Sequence, residues 1–149
     1  MGTFSLNINE YVESSLQEIE ETHGSIILEL FTGTILDTPV LEGRLRGNWI
    51  MTESSPAGNT VDPMETTYES ESKNKEEGVR GKLTSAKFNE VANHINKLDL
   101  RKDFKVYLTN NLPYAYGIEY GNQNGKMSGK APEGMVRKNF ARIIQNLQA

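Results

Sequence analysis

The sequence predicts an α+β domain with a small, mainly antiparallel sheet packed against a long N-terminal helix, a middle helix and a short C-terminal helix. Two observations lead to this prediction. At three places along the chain, apolar residues recur every three or four positions, which is typical of amphipathic helices. Between the second and third of these places, apolar and polar residues alternate, as in a half-buried strand. The 149 residues are enough for a core, so we predict one domain over 1–149.

Composition and charge exclude several classes of protein. The net charge of -4 and the pI of about 5.3 argue against a protein that binds nucleic acid over its whole surface. The chain has no cysteine, which excludes disulfides, thiolate metal sites and a cysteine nucleophile. No apolar run approaches the roughly 20 residues that a membrane span needs. We therefore expect a protein without disulfides that does not enter a membrane.

The first amphipathic stretch predicts a helix that begins near Asn7 and runs to about Thr32. Asn7 and Glu10 have the spacing of a capping box. Pro39 ends the region, because the residue before a proline avoids helical geometry. His23 falls on or beside the apolar stripe, where we expect a packing or edge position, and the glutamates fall largely off it. The stripe consists of Ile8, Val12, Leu16, Ile19, either Ile26 or Ile27, and Leu30.

The segment that ends at Trp49 combines glycines and arginines with the single tryptophan of the chain. Gly43 indicates a tight turn or a close backbone approach. Arg44 and Arg46 would point the same way in an extended chain. They are either solvated surface charges or contacts to a carboxylate of a neighbouring subunit. Trp49 anchors the core at the start of a strand, and residues 53–82 are predicted to be a long excursion that a partner orders.

The second half of the chain predicts a helix followed by a hairpin. Thr84 caps the middle helix, and the alternation at 104–109 gives the first strand of the hairpin. After a turn at Pro113, residues 114–120 are predicted to form the return strand, with Gly117 as a bulge. Strand alternation would place three tyrosines on one face, either at the edge of the core or against a partner. They are Tyr114, Tyr116 and Tyr120.

The last amphipathic stretch predicts a short helix over 137–147. Its apolar positions are expected to face the core. They are Phe140, Ile143, Ile144 and Leu147.

The sequence predicts no catalytic residue, no cofactor and no metal. The glycines and lysines at 125–130 are similar to a phosphate loop, but three residues separate the glycines instead of four, and Ala131 follows the lysine. The two histidines are far apart and in no ligand pattern. Glu119 has no second carboxylate close in sequence for acid–base work. We expect it to form an ion pair, either inside the chain or across an interface.

Three blocks of residues stand in a characteristic order along the chain. They are Thr38-Pro39-Val40-x-x-Gly43-Arg44-Leu45-Arg46-x-x-Trp49, Asn110-Asn111-x-Pro113-Tyr114-Ala115-x-x-Ile118-Glu119-Tyr120-Gly121 and Ala131-Pro132-x-Gly134-Met135-Val136-Arg137. Together they resemble the tail-completion and neck proteins of long-tailed bacteriophages, which are also described as minor tail components.

The resemblance implies a structural protein of the virion that joins the tail tube to the head-side connector. It implies a hexameric ring, with DNA passing through the lumen without sequence-specific binding. The other partners would be connector or stopper proteins and tail-tube or tail-terminator proteins. The location would be the tail or neck of the virion, after assembly in the host cytoplasm. The alternative function is a small monomeric module that regulates or caps one partner protein.

Two sets of residues follow from these considerations. In a ring the contact is heterologous, so exposed arginines, tyrosines and polar loops are the candidate contacts. The candidate assembly residues are Arg44, Arg46, Tyr116, Glu119, Tyr120, Asn122, Lys126, Lys130 and Arg137. The residues expected to hold the shape of the blocks are Pro39, Gly43, Trp49, Pro113, Tyr114, Gly121, Pro132, Gly134 and Met135.

Overall fold

A computed structural model describes residues 2–39, 44–61 and 85–149, and it confirms the α+β class. The predictions for Gly43, for the cap at Thr84 and for residues 62–82 concern parts of the chain outside these ranges. Within the described ranges, no helix is both long and apolar enough to cross a membrane. The elements are α1 (Gly2–Asp37), α2 (Arg44–Gly47), β1 (Ile50–Thr52), α3 (Ser85–Lys97), β2 (Tyr107–Thr109), α4 (Ala115–Tyr120) and α5 (Val136–Gln148).

The sheet of the described chain has two strands, and they are distant in sequence. β1 and β2 pair antiparallel, with Met51 opposite Leu108. Trp49, which precedes β1, is 5% exposed, and its indole N–H donates to Thr38 Oγ1 at 2.8 Å. The prediction of Trp49 as a core anchor before a strand is confirmed.

Helix α1 is 36 residues long and begins well before the predicted start. Asn7 and Glu10 therefore lie inside the helix, and the capping box is wrong. The same spacing of residues is compatible with a helix interior, because glutamate is a good helix former. The helix ends at Asp37, five residues beyond the predicted end at Thr32, and it stops two residues before Pro39, which was predicted to end the region.

The core lies around the second half of α1, between α3 and α5. Ile27, Phe31 and Ile35 of α1 are buried there. His23 is partly buried at the edge of this core. Its Nδ1 lies 3.0 Å from the carbonyl oxygen of Leu100, and its ring packs 5.4 Å from the ring of Phe104. The predicted packing role of His23 is confirmed.

The predicted hairpin is wrong, because residues 115–120 form helix α4 instead of a return strand. The backbone is helical from Tyr114, whose carbonyl oxygen accepts from Ile118 N at 3.1 Å. Gly117 lies inside the helix and forms no bulge. Tyrosines at even positions suggested a period of two, but the buried residues Ala115 and Glu119 are four apart. That spacing belongs to one face of a helix.

Helix α5 confirms the last predicted helix, but most of its expected inward face is exposed. Ile143 is 5% exposed, whereas Phe140, Ile144 and Leu147 are 55%, 39% and 60% exposed. The prediction that all four face the core is therefore wrong. The apolar stripe of α5 is wider than the contact with α1, so one edge of it stays uncovered by the described residues.

The start of the predicted excursion is fixed by a buried asparagine. Residues 53–61 contain no helix or strand. Asn48 is fully buried, and its side-chain amide pairs with both backbone groups of Val61. Its Oδ1 accepts from Val61 N at 2.8 Å, and its Nδ2 donates to Val61 O at 3.1 Å. The Asn48 side chain thus bonds to the backbone of Val61 as a neighbouring strand would. It holds the chain there although Val61 belongs to no strand.

His94 of α3 forms a hydrogen bond with Glu53, the residue that follows β1. Its Nδ1 lies 2.6 Å from Glu53 Oε1, and this hydrogen bond lowers the pKa of the Glu53 carboxyl. The side chain of His94 is partly exposed.

Two glycines of α1 are expected to respond to alanine with opposite signs. A Cβ on Gly24 would lie 3.4 Å from Leu100 Cδ1, an ordinary contact, whereas on Gly33 it would lie 2.2 Å from Asn139 Oδ1. We expect Gly24→Ala to raise the free energy of unfolding by about 1 kcal/mol through helix propensity. Gly33→Ala should lower it by about 1–2 kcal/mol, because α5 must move away. Urea unfolding of both variants measures this, and a stabilising Gly33→Ala would contradict the packing.

Candidate interaction surface

Helix α4 turns two pairs of residues to opposite sides. Ala115 and Glu119 are buried, whereas Tyr116 and Tyr120 are 72% and 51% exposed. Members of each pair are four residues apart and therefore lie one above the other on the helix. The rings of Tyr116 and Tyr120 have centroids 4.8 Å apart and are inclined by 42°. The helix thus aims a carboxylate into the protein and two stacked tyrosines into solvent.

The carboxylate of Glu119 caps the N-terminus of α5. Its Oε2 accepts from Met135 N at 2.5 Å and from Val136 N at 2.9 Å, and its Oε1 accepts from Arg137 N at 2.9 Å. The first amides of a helix have no partner within the helix, and the positive end of the helix dipole favours an anion. The predicted ion pair of Glu119 is therefore internal, and most of its bonds are to backbone.

Arg137 joins this buried carboxylate to the exposed tyrosines. Its Nε lies 3.2 Å from Glu119 Oε1, and its Nη2 also donates to the carbonyl oxygen of Glu119. The guanidinium carbon lies 4.9 Å from the ring centroid of Tyr120, a cation–π geometry. Tyr116, Tyr120 and Arg137 form one continuous exposed stack, which we call the tyrosine–arginine surface.

Two glycines, Gly134 and Gly121, allow the backbone to come close to neighbouring atoms in this arrangement. Gly134 has φ 79°, and a Cβ there would lie 2.8 Å from Glu119 Oε1. Gly121 has φ 95°, and a Cβ there would lie 3.1 Å from Lys126 O. Both positions favour glycine through the left-handed φ and through the close neighbour. Their assignment as shape-holding residues is supported by both features.

The polar loop after α4 is held by its own hydrogen bonds. Asn122 N donates to Lys126 O at 2.9 Å, and Asn122 Oδ1 accepts from Lys126 N at 3.0 Å. Lys126 and Lys130 are exposed on this loop. The loop lies beside the tyrosine–arginine surface, since the Sδ of Met127 is 3.9 Å from Arg137 Nη2. These bonds close a turn between Asn122 and Lys126 at the start of the loop.

The first block is joined to the second by side chains that bond to backbone. Arg46 Nη2 donates to the carbonyl oxygens of Leu36 at 2.8 Å and Thr38 at 3.0 Å, at the end of α1. Asn110 Nδ2 donates to Leu45 O at 2.8 Å, which connects the turn after β2 to α2. The segment is helical at Arg44–Gly47, so the condition of an extended chain, under which Arg44 and Arg46 would point the same way, does not hold.

The predicted assembly residues thus divide into three groups. Arg46 and Glu119 are buried and bond within their own chain, so we withdraw them as contacts to a neighbour. Arg44 is exposed on α2, away from helix α4 in sequence. The rest either form the tyrosine–arginine surface or belong to the polar loop after α4. They are Tyr116, Tyr120, Asn122, Lys126, Lys130 and Arg137.

The residues expected to hold the shape differ in burial. Trp49, Gly121, Gly134 and Met135 are buried, which agrees with the prediction. Pro39 is partly buried, and Pro113 and Pro132 are exposed in turns. Tyr114 is 45% exposed at the N-cap of α4, so it does not fill the core.

The chain matches no protein-family model, no curated protein and no solved structure.

Asn110, which was named in the second block but given no role, and Met127 are the members of this region whose contacts were not predicted. Asn110 fills a backbone-capping role, which asparagine serves in any turn, so its type alone carried no signal for this one. The four-residue spacing of Tyr116 and Tyr120 was a signal for a helical stack. Among the described residues no group of three or more side chains suits a metal ion.

Proposed function

We propose that the chain is a structural protein of a tailed-phage virion, which completes the tail and joins the tail tube to the head-side connector as a ring around the DNA channel. One structural observation supports the proposal in addition to the sequence resemblance. The three blocks that resemble neck proteins fold into one hydrogen-bonded unit, through Arg46 to Thr38, Asn110 to Leu45 and Glu119 to Arg137. That unit presents the tyrosine–arginine surface outward.

The composition of this surface supports a contact role. Tyrosine and arginine are enriched among residues that carry most of the energy of protein interfaces. Arg137 is already oriented by Glu119, so little of its side-chain freedom is lost on binding. A fixed surface of this kind suits a permanent assembly of copies and neighbours.

The role in joining heads and tails is tested by removing the gene from the phage or prophage that carries it. Electron microscopy of the lysate should then show filled heads and separate tails. Supplying the chain from a plasmid should restore joined particles. Joined, infectious particles that lack the chain would overturn the proposal. A chain that stays monomeric and binds one non-virion protein would favour the alternative, a partner-capping module.

The contact role of the tyrosines is tested by Tyr116→Ala. We expect the stability of the fold to stay within about 0.5 kcal/mol of the wild type, because the side chain is exposed. Joining of heads to tails should fall at least about tenfold, as for an interface residue worth more than about 1.4 kcal/mol. Plasmid complementation and particle counting measure this effect.

A matched control is Phe88→Ala, which removes an exposed aromatic ring from α3. Equal loss of joining in both variants would mean that the effect is not specific to the tyrosine–arginine surface.

A further inference from the structure

Arg137 is bonded to its own chain through only part of its guanidinium group. Its Nε and Nη2 donate to Glu119, and Nη2 also contacts the Sδ of Met127. The remaining nitrogen, Nη1, carries two further N–H groups. Among the described residues no acceptor lies within hydrogen-bond distance of Nη1. The side chain is 49% exposed, so this end of the guanidinium is open to a ligand.

The open end of Arg137 is held in one place by the bonds at its other end. Its Nε lies 3.2 Å from Glu119 Oε1, and Glu119 in turn accepts from the backbone N–H groups of Met135 and Val136. The guanidinium carbon also lies 4.9 Å from the ring centroid of Tyr120. Because these contacts already restrict the side chain, it loses little further freedom when an anion binds to it.

The residues around this surface are basic, although the chain as a whole is acidic. Residues 115–149 contain five basic side chains and two acidic ones, whereas the net charge of the chain is -4. One of the two acids, Glu119, is buried and accepts hydrogen bonds at both oxygens. The other, Glu133, forms no ion pair with a described residue. The basic residues are Lys126, Lys130, Arg137, Lys138 and Arg142.

Lys126 brings a second basic residue next to Tyr120. Gly121 follows Tyr120, and a Cβ on Gly121 would lie 3.1 Å from Lys126 O. The next residue, Met127, contacts Arg137. Lys126 is exposed and forms no ion pair with a described residue. Two basic residues from different segments of the chain thus lie at the Tyr120 end of the stack.

The two tyrosines provide apolar area beside these charges. Tyr116 and Tyr120 are 72% and 51% exposed, and neither hydroxyl bonds to a described residue. A tyrosine ring packs against apolar atoms, and its hydroxyl can donate to an acceptor of the same ligand. The surface therefore suits a ligand in which an anionic group stands next to an apolar one.

Two kinds of macromolecule have that chemistry, nucleic acids and acidic protein segments. A nucleic-acid strand carries a phosphate at every nucleotide. Residues 1–114 contain 18 acidic and 11 basic side chains, so they repel a strand that extends beyond the surface. A short acidic segment places its charge only where it binds, and arginine pairs with carboxylates through parallel N–H groups. The distribution of charge along the chain therefore favours a protein ligand.

We propose that the tyrosine–arginine surface binds an acidic segment of a neighbouring protein in the assembly. A glutamate or aspartate carboxylate of that segment accepts from Nη1 of Arg137, and apolar atoms beside it pack on Tyr116. The inference rests on the proposed function, since it specifies the chemistry of a neighbour in the neck. It gives Glu119 and Arg137 different roles, because Glu119 positions the arginine and Arg137 contacts the partner.

Binding of short peptides to the purified full-length chain tests this inference in solution. The probe is a fluorescein-labelled hexapeptide of alternating glutamate and proline, which offers carboxylates next to apolar rings. A hexapeptide of alternating glutamine and proline is the uncharged control. Fluorescence anisotropy is measured at low ionic strength, where charges are weakly screened. The acidic peptide should bind at least about tenfold more tightly than the control.

Variants of the chain locate the binding site. Arg137→Gln should weaken binding of the acidic peptide at least about tenfold. Arg142→Gln is the matched control on the same helix, because the Nη2 of Arg142 would lie 2.8 Å from a Cβ on Gly33 and the side chain thus lies against α1. It should leave the affinity unchanged. Lys126→Gln should weaken binding several-fold without affecting the fold, since Lys126 forms its hydrogen bonds in the turn through its backbone.

Three results in solution would overturn the inference. The first is no binding of the acidic peptide at about 1 mM. The second is equal weakening by Arg137→Gln and Arg142→Gln, which would show that only the total charge matters. The third is binding of an oligothymidylate of the same length at least as tightly as the acidic peptide, which would favour nucleic acid as the ligand.

Particles separate this inference from the proposed function. If necks contain the chain and Arg137→Gln joins heads to tails as well as the wild type does, the proposed function stands and the acidic contact is overturned. If the peptide binds through Arg137 but particles lack the chain, the proposed function fails and the binding site for an acidic segment remains.

Discussion

Replacing Glu119 by glutamine is expected to lower the free energy of unfolding by about 3 kcal/mol. The carboxylate is 6% exposed and accepts from three successive backbone amides at the start of α5. Hydrogen bonds to a charged group contribute about 1.5–3 kcal/mol, and an anion at a helix N-terminus contributes up to about 2 kcal/mol. Glutamine has a similar volume but no charge. Its side-chain NH₂ group would face backbone N–H groups that are also hydrogen-bond donors. The ion pair with Arg137 adds little, because the arginine side chain is 49% exposed.

Thermal and urea unfolding measure this effect. For a chain of this size 1 kcal/mol corresponds to about 2–4 °C, so a fall in Tm of about 10 °C is expected. Glu133→Gln is the matched control, since it removes the same charge from an exposed position in the turn before α5. It should leave Tm nearly unchanged. If Glu119→Gln stays within about 0.5 kcal/mol of wild type, the carboxylate does not hold α5 in place.

The cap that Glu119 forms on α5 could be predicted from the sequence only in part. Glu119 was predicted to form an ion pair, and the last helix was predicted to begin at Arg137. That one carboxylate would cap that helix was not predictable, because Glu119 precedes Met135 by 16 residues. Sequence signals for a helix start lie within about three residues of the first turn.

The prediction of a return strand at 114–120, where the structure has helix α4, was wrong for a different reason. Its tyrosines fall at even positions, which suits a strand, but Tyr116 and Tyr120 are also four apart, which suits a helix. Six residues are too few for either period to prevail. Burial of Ala115 and Glu119 decides between them in the structure, and burial of a carboxylate is not what composition predicts.

The exposed strip of α5 has a similar explanation. An apolar stripe predicts that a helix packs against something, and it does not say whether the partner is the same chain. In α5, Ile143 is buried, whereas Phe140 is 55% exposed. In α1 the stripe from Ile8 to Ile26 is continuous in sequence and only half covered. Periodicity alone therefore could not tell which apolar residues of a stripe the described chain leaves exposed.

The second large effect is expected from Gly134→Ala, which should lower the free energy of unfolding by about 3 kcal/mol. Gly134 has φ 79°, and a left-handed conformation costs about 1–2 kcal/mol in a residue with a Cβ. The added Cβ would also lie 2.8 Å from Glu119 Oε1, below any ordinary contact. The carboxylate is pinned by three amides, so it moves only by giving up part of the cap.

Gly129→Ala is the control for this variant, because nothing lies within 4 Å of a Cβ there and its φ is not positive. A double-mutant cycle separates the two causes. In a Glu119→Ala background the clash is gone and only the left-handed φ remains, so Gly134→Ala should lower the stability by about 1–2 kcal/mol there. A loss from Gly134→Ala that is equal in both backgrounds would show that backbone strain alone requires glycine. The close approach between Gly134 and Glu119 would then contribute nothing measurable to the stability of the turn that positions α5.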